Sequence, residues 1–64
     1  MVTINGKPTD AAGMTLDEYL SKEGLPRERI ACEVNETIVP KCKYGETVLK
    51  DGDRVEIVRF VGGG

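Results

Sequence analysis

Residues 53–60, "DRVEIVRF", decide the fold. Read as a strand, they put Val55 and Ile57 on one face and Glu56, Val58 and Phe60 on the other. A strand that is apolar on both faces belongs in the interior of a sheet, with neighbours on each side. Asp51-Gly52-Asp53 supplies turn chemistry just before it. Val61-Gly62-Gly63-Gly64 follows, and the sequence ends there. A central strand is therefore the last regular element, and its partners must come from upstream.

The first segment provides one partner. Val2 and Ile4 alternate with Met1 and Thr3, and Asn5-Gly6 supplies two residues that accept positive φ in a hairpin turn. Pro8 lacks an N–H donor, so the second arm is expected at a sheet edge. Next, Thr15 and Glu18 have capping-box spacing, and Asp17 adds charge of the right sign at a helix N-terminus. Leu16, Tyr19 and Leu20 share one helical face, while Asp17, Glu18, Ser21 and Lys22 form the polar one. Gly24 as C′ residue and Pro26 beyond it end the segment, which predicts a helix at Leu16–Glu23. Alternation resumes at Ile30, Cys32 and Val34. A turn at Asn35-Glu36 leads to a short return strand, Thr37-Ile38-Val39, ended by Pro40. Residues 41–53 read as irregular, with Tyr44 covering the core, its ring buried and its hydroxyl wet. Val48 and Leu49 are expected to anchor this loop.

The order is two strands, helix, two strands, central strand. It predicts an α+β domain over residues 1–61, with a mixed sheet of four to five strands and one main helix on one face. The last strand lies beside the first, and residues 62–64 form a flexible glycine tail.

Composition narrows the function. The 64 residues are 39% hydrophobic and 31% charged, which fits one small globular domain. Nine basic against eleven acidic residues give a net charge of −2, with no general attraction for nucleic acid or an anionic membrane. One Phe, two Tyr and no Trp are too few for a base-stacking platform. No apolar run approaches bilayer length, and a secretory signal is absent, so a cytoplasmic location is expected. The two cysteines cannot fill a tetrahedral zinc site or hold an iron–sulfur cluster. Cys32 reads as a small core hydrophobe and Cys42 as a loop residue. Lys41 and Lys43 flank Cys42, the setting in which a thiol gains reactivity. With no histidine and little volume for a pocket, an enzyme is not expected.

A terminal glycine run is either a fray or a working end. Three observations favour the second. The run follows a central strand without a linker, so it leaves rigid structure at a fixed place. Glycine is thin and reaches φ/ψ values closed to other residues, so such a segment can thread a narrow channel. A phosphate-cradling loop would need a following helix and a lysine, and neither is present. The remaining reactive group is the α-carboxylate of Gly64. A carboxylate needs activation before a nucleophile can attack it, and nothing here binds ATP. A partner must activate it, and the protein is then a carrier.

The stretches "INGKP", "MTLDEYL", "VNETIVPK", "KDGDRVEIV" and "FVGGG" together resemble the ThiS-type sulfur carriers of thiamine biosynthesis, over nearly the whole chain. The resemblance implies the β-grasp, or ubiquitin-like, fold. It implies that an E1-like enzyme uses ATP to adenylate the terminal carboxylate. Sulfur from a donor such as a cysteine desulfurase system then makes a thiocarboxylate, and thiazole synthase consumes it. Gly64 matches the sulfur-bearing residue, Gly63 completes the diglycine, and Gly62 adds length for threading. The chain itself would bind no cofactor. Val58 and Phe60, on the face away from the helix, are either a docking surface for these partners or covered by loops. Glu33, Glu36 and Glu56 could steer a basic partner or be plain solvated surface. Two other readings share the pattern: a sulfur carrier for molybdopterin or another sulfur-containing product, and a non-covalent β-grasp interaction module.

Overall fold

The computed structural model describes residues 1–60. Two hairpins form where the turn chemistry demands them. Strands β1 (Val2–Ile4) and β2 (Lys7–Thr9) join through Asn5 and Gly6, both at positive φ, 49° and 82°. Strands β3 (Ile30–Val34) and β4 (Thr37–Val39) join through Asn35 and Glu36, at φ 51° and 70°. Both pairs give the backbone twist that suits a two-residue hairpin. Strand β5 (Arg54–Arg59) lies between the hairpins, parallel to β1 and antiparallel to β3. The strand order is β2-β1-β5-β3-β4. The last strand is thus central and pairs with the first, and Pro8 sits on an edge strand, as the sequence predicts.

Helix α1 spans Leu16–Lys22. It stops one residue short of the predicted end, because Glu23 is the C-cap and Gly24, at φ 69°, turns the chain away. The capping box is complete: Glu18 N–H donates to Thr15 Oγ1 (3.0 Å), and Thr15 N–H donates to Glu18 Oε1 (2.8 Å). Two more N-terminal amides bond to the loop before β5. Leu16 N–H reaches Thr47 O (2.8 Å) and Asp17 N–H reaches Tyr44 O (3.1 Å). Paired backbone bonds at Gly13, Met14 and Leu49 extend this seam. The donors a helix start leaves unpaired therefore fasten the loop over the core.

The core lies between the helix and one face of the sheet. Val2, Ile4, Leu16, Leu20, Ile30, Cys32, Tyr44, Leu49 and Val55 are all buried there, together with Ala11. Two expectations for the loop need correction. Leu49 is buried but Val48 is 47% exposed, because consecutive residues of an extended segment face opposite ways. Of the two, Leu49 is the anchor. Tyr44 is only 1% exposed, so its hydroxyl is not wet. Burial, followed by the neighbouring Cys32, pushes its pKa up to about 12. Burial also raises the Cys32 thiol.

Candidate functional site

The sheet face away from the helix carries the features that the core does not use. Strand parity fixes its membership. Ala31 is opposite Val58, Glu33 is opposite both Glu56 and Ile38, and all five therefore share this face. Val58 is 55% exposed, Phe60 54% and Ile38 70%. Described loops leave these apolar groups open, so the expectation of a loop cover fails and the exposed surface stands. Ile38 was missed as a member. Its face is set by the β3–β4 register, which places it opposite Glu33.

Glu33 and Glu56 face each other directly across β3 and β5. Like charges in that position are mutually destabilising. No described basic group pairs with either carboxylate. The third predicted acidic residue, Glu36, sits at the β3–β4 turn, beside Asn35 and Arg54 and apart from that pair.

The root of the C-terminus is fixed by a ladder bond. Phe60 N–H donates to Arg29 O at 2.7 Å, one step beyond the Ile30–Arg59 pair. Lys41 stands on the other side of β3, its Nζ bonded to Ile30 O (3.1 Å) and 5.9 Å from the centre of the Phe60 ring. Arg27 braces this corner. It donates to Lys41 O (3.1 Å), pairs with Asp17 (3.5 Å) and lies over the Tyr44 ring. Gly62, Gly63 and Gly64, predicted to thread and to carry sulfur, lie outside the described residues. Gly64 is four positions beyond Phe60 in sequence, a stretch that can span at most roughly 14 Å.

Elsewhere the chemistry is sparse. Both cysteines are free, Cys32 in the core and Cys42 exposed in the turn Lys41–Lys43. Among the described residues, no cluster of three or more acidic or sulfur side chains is placed to hold a metal ion. A concavity near Asp17, Ser21 and Gly45 is shallow and open, and among the described residues its lining pairs no nucleophile with a base.

Residues 2–64 match the model of the ThiS family. The sulfur carrier protein ThiS of Thermus thermophilus is 36% identical over 64 residues, covering all of both chains. The thiazole synthase of Paramagnetospirillum magneticum is 41% identical over 64 residues, covering 98% of this chain and 20% of that protein. The chain therefore spans about a fifth of the length of that relative. Among solved structures, the thiamine biosynthesis protein ThiS from Geobacter metallireducens superposes with a TM-score of 0.80 at 34% identity, covering 98% of this chain and 97% of that one. The five-stranded mixed sheet with its single helix is thus the β-grasp arrangement that the sequence led us to expect.

Proposed function

The chain belongs to the ThiS family, and from that premise we propose that it is a sulfur carrier for thiazole formation in thiamine biosynthesis, with the Gly64 carboxylate as its reactive group. The observation that carries this reading is that the family match runs to residue 64, through Gly63 and Gly64, on a chain whose central strand ends at Arg59, close before them in sequence.

The chemistry follows from the carboxylate. On an E1-like partner, a Gly64 oxygen attacks the α-phosphorus of ATP and pyrophosphate leaves. The mixed anhydride with AMP has an electrophilic carbonyl carbon. A persulfide from a donor such as a cysteine desulfurase system attacks there through its terminal sulfur and AMP leaves; a thiol then cleaves the resulting acyl disulfide, and the donor sulfur leaves as a disulfide with that thiol. The product is a thiocarboxylate, which thiazole synthase consumes. The occurrence of a similar segment within a thiazole synthase supports that enzyme as the receiving partner. The need for ATP and reduced sulfur fits a cytoplasmic setting. The protein supplies no catalytic group and no bound cofactor of its own.

Docking falls to the open face. Val58, Phe60 and Ile38 offer exposed apolar area beside the tail root, as interaction sites do. The Glu33–Glu56 pair favours a partner that brings a cation between the two carboxylates.

Intact-mass spectrometry tests the proposal. The full chain is incubated with ATP, sulfide and the adenylating enzyme. A gain equal to exchange of one oxygen for sulfur is expected, and fragmentation should place it on Gly64. A gain on Cys42, or an equal gain in a chain lacking Gly63 and Gly64, overturns it.

A further inference from the structure

The contact between Lys41 and Phe60 has its origin in a broken ladder. In β3 the peptide groups of odd-numbered residues face β5: Phe60 N–H meets Arg29 O, and Asn35 N–H meets Arg54 O. Those of even-numbered residues therefore face β4. There the register pairs Val34 with Thr37 and Cys32 with Val39, so residue 41 falls opposite Ile30. Pro40 ends β4 before that pair can form and turns the chain into the helical turn Lys41–Lys43. The carbonyl of Ile30, a fully buried residue, loses its backbone partner. The Lys41 ammonium replaces it by donating to Ile30 O, while Arg27 fixes the Lys41 backbone from behind. Among the described residues no carboxylate lies within ion-pair distance of Lys41 Nζ. Its second neighbour is instead the Phe60 ring.

We infer that Lys41 is a positioning residue for docking: anchored on the Ile30 carbonyl, its ammonium holds the Phe60 ring in the orientation in which the adenylating partner receives it. This rests on the reading of Phe60 as a docking residue of a sulfur carrier. An exposed aromatic ring is otherwise free to choose among rotamers, and that freedom is lost on binding. A cation held over an exposed ring biases the choice by roughly two- to fivefold. The same factor should appear in affinity for the partner and not in the chemical step, because Lys41 acts through Phe60.

The test uses Lys41→Met, which keeps the aliphatic stem, Lys41→Arg, which keeps charge and donors, and Phe60→Leu alone and combined with Lys41→Met. Steady-state adenylation is followed as a function of carrier concentration. Lys41→Met should raise the half-saturating concentration about two- to fivefold with the maximal rate unchanged. Lys41→Arg should restore it. In the Phe60→Leu background, Lys41→Met should have no further effect. NMR supplies a readout that needs no enzyme: three-bond couplings of Phe60 should report a χ1 population skewed toward one rotamer in the wild type, with the skew reduced about two- to fivefold in Lys41→Met. The inference is overturned by unaltered Phe60 couplings in Lys41→Met, by an unchanged half-saturation, or by an equal effect in the Phe60→Leu background. If the wild-type chain is not adenylated at all, the carrier reading falls, and this inference falls with it.

Discussion

Tyr44 joins the loop before β5 to the core. It is buried in the core with Cys32, Arg27 covers its ring, and its carbonyl accepts from Asp17 N–H. Burial pushes its pKa up to about 12 from the ordinary 10.0. The folded state therefore keeps the phenol proton to a higher pH than the unfolded chain does. Between pH 10 and about 12 the unfolded state binds fewer protons, so stability falls with rising pH, by up to about 1.4 kcal/mol per unit. Below pH 10 this contribution is fully present. Tyr44→Phe should cost about 0.5–1.5 kcal/mol at neutral pH, through loss of the hydroxyl contact. It should also flatten the decline in Tm between pH 10 and 12, as followed by circular dichroism. An unaltered slope would show that Tyr44 does not titrate in that window. The aromatic cover was legible in the sequence, but its complete burial was not. Tyr44 stands among polar neighbours, and only the backbone seam to the helix start draws it fully inside.

Asn5 shows the same limit at the level of the element. Its place before Gly6 identifies a hairpin turn, and the turn is there. The sequence does not show what the side chain does. β1 pairs with β5 only as far as Ile4 and Val55, and Asn5 N–H then donates to Val55 O (2.9 Å). Beyond that point the Asn5 amide continues the ladder with its side chain. Oδ1 accepts from Ile57 N–H (2.7 Å) and Nδ2 donates to Ile57 O (3.2 Å), across 52 residues of sequence. Asn35 acts similarly from the other hairpin, accepting from Arg54 N–H at 3.0 Å. Both turn residues thus clip the central strand, one on each side. Asn5→Gly keeps a residue suited to positive φ and deletes the clip, so it should cost about 1–2 kcal/mol. Urea unfolding should show a lower midpoint at constant slope, and amide exchange should accelerate most at Ile57. Asn5→Ala should cost roughly 1 kcal/mol more, because alanine resists the left-handed region. Strands, helix and caps were legible because they rest on local periodicity and turn chemistry. These clips were not, since they depend on which distant strand the topology brings alongside.

At the scale of the whole molecule, the sheet divides its two faces by task. One is spent on the core against α1 and Tyr44, and the other keeps Val58, Phe60 and Ile38 exposed. A chain this short buries only about 60% of its unfolded surface, so leaving three large apolar side chains open forgoes stability it can ill spare. Val58 and Phe60 were legible as the outward face of "DRVEIVRF". Ile38 and Lys41 were not, because their position depends on the β3–β4 register and on where Pro40 breaks it. The division predicts that binding and chemistry can be separated. Val58→Ser with Phe60→Ser should leave Tm nearly unchanged, since neither side chain belongs to the core. It should raise the half-saturating carrier concentration in adenylation by at least about tenfold, the effect of losing more than roughly 1.4 kcal/mol of interface contact. A chain lacking Gly63 and Gly64 should behave in the opposite way. It retains the docking face, so it should compete with the full chain at concentrations near the latter's half-saturation. It lacks the reactive carboxylate at the required reach, so it should accept neither AMP nor sulfur. Competition by both variants alike would show that docking does not use the open face. Sulfur uptake by the shortened chain would show that the terminus is not the site of transfer.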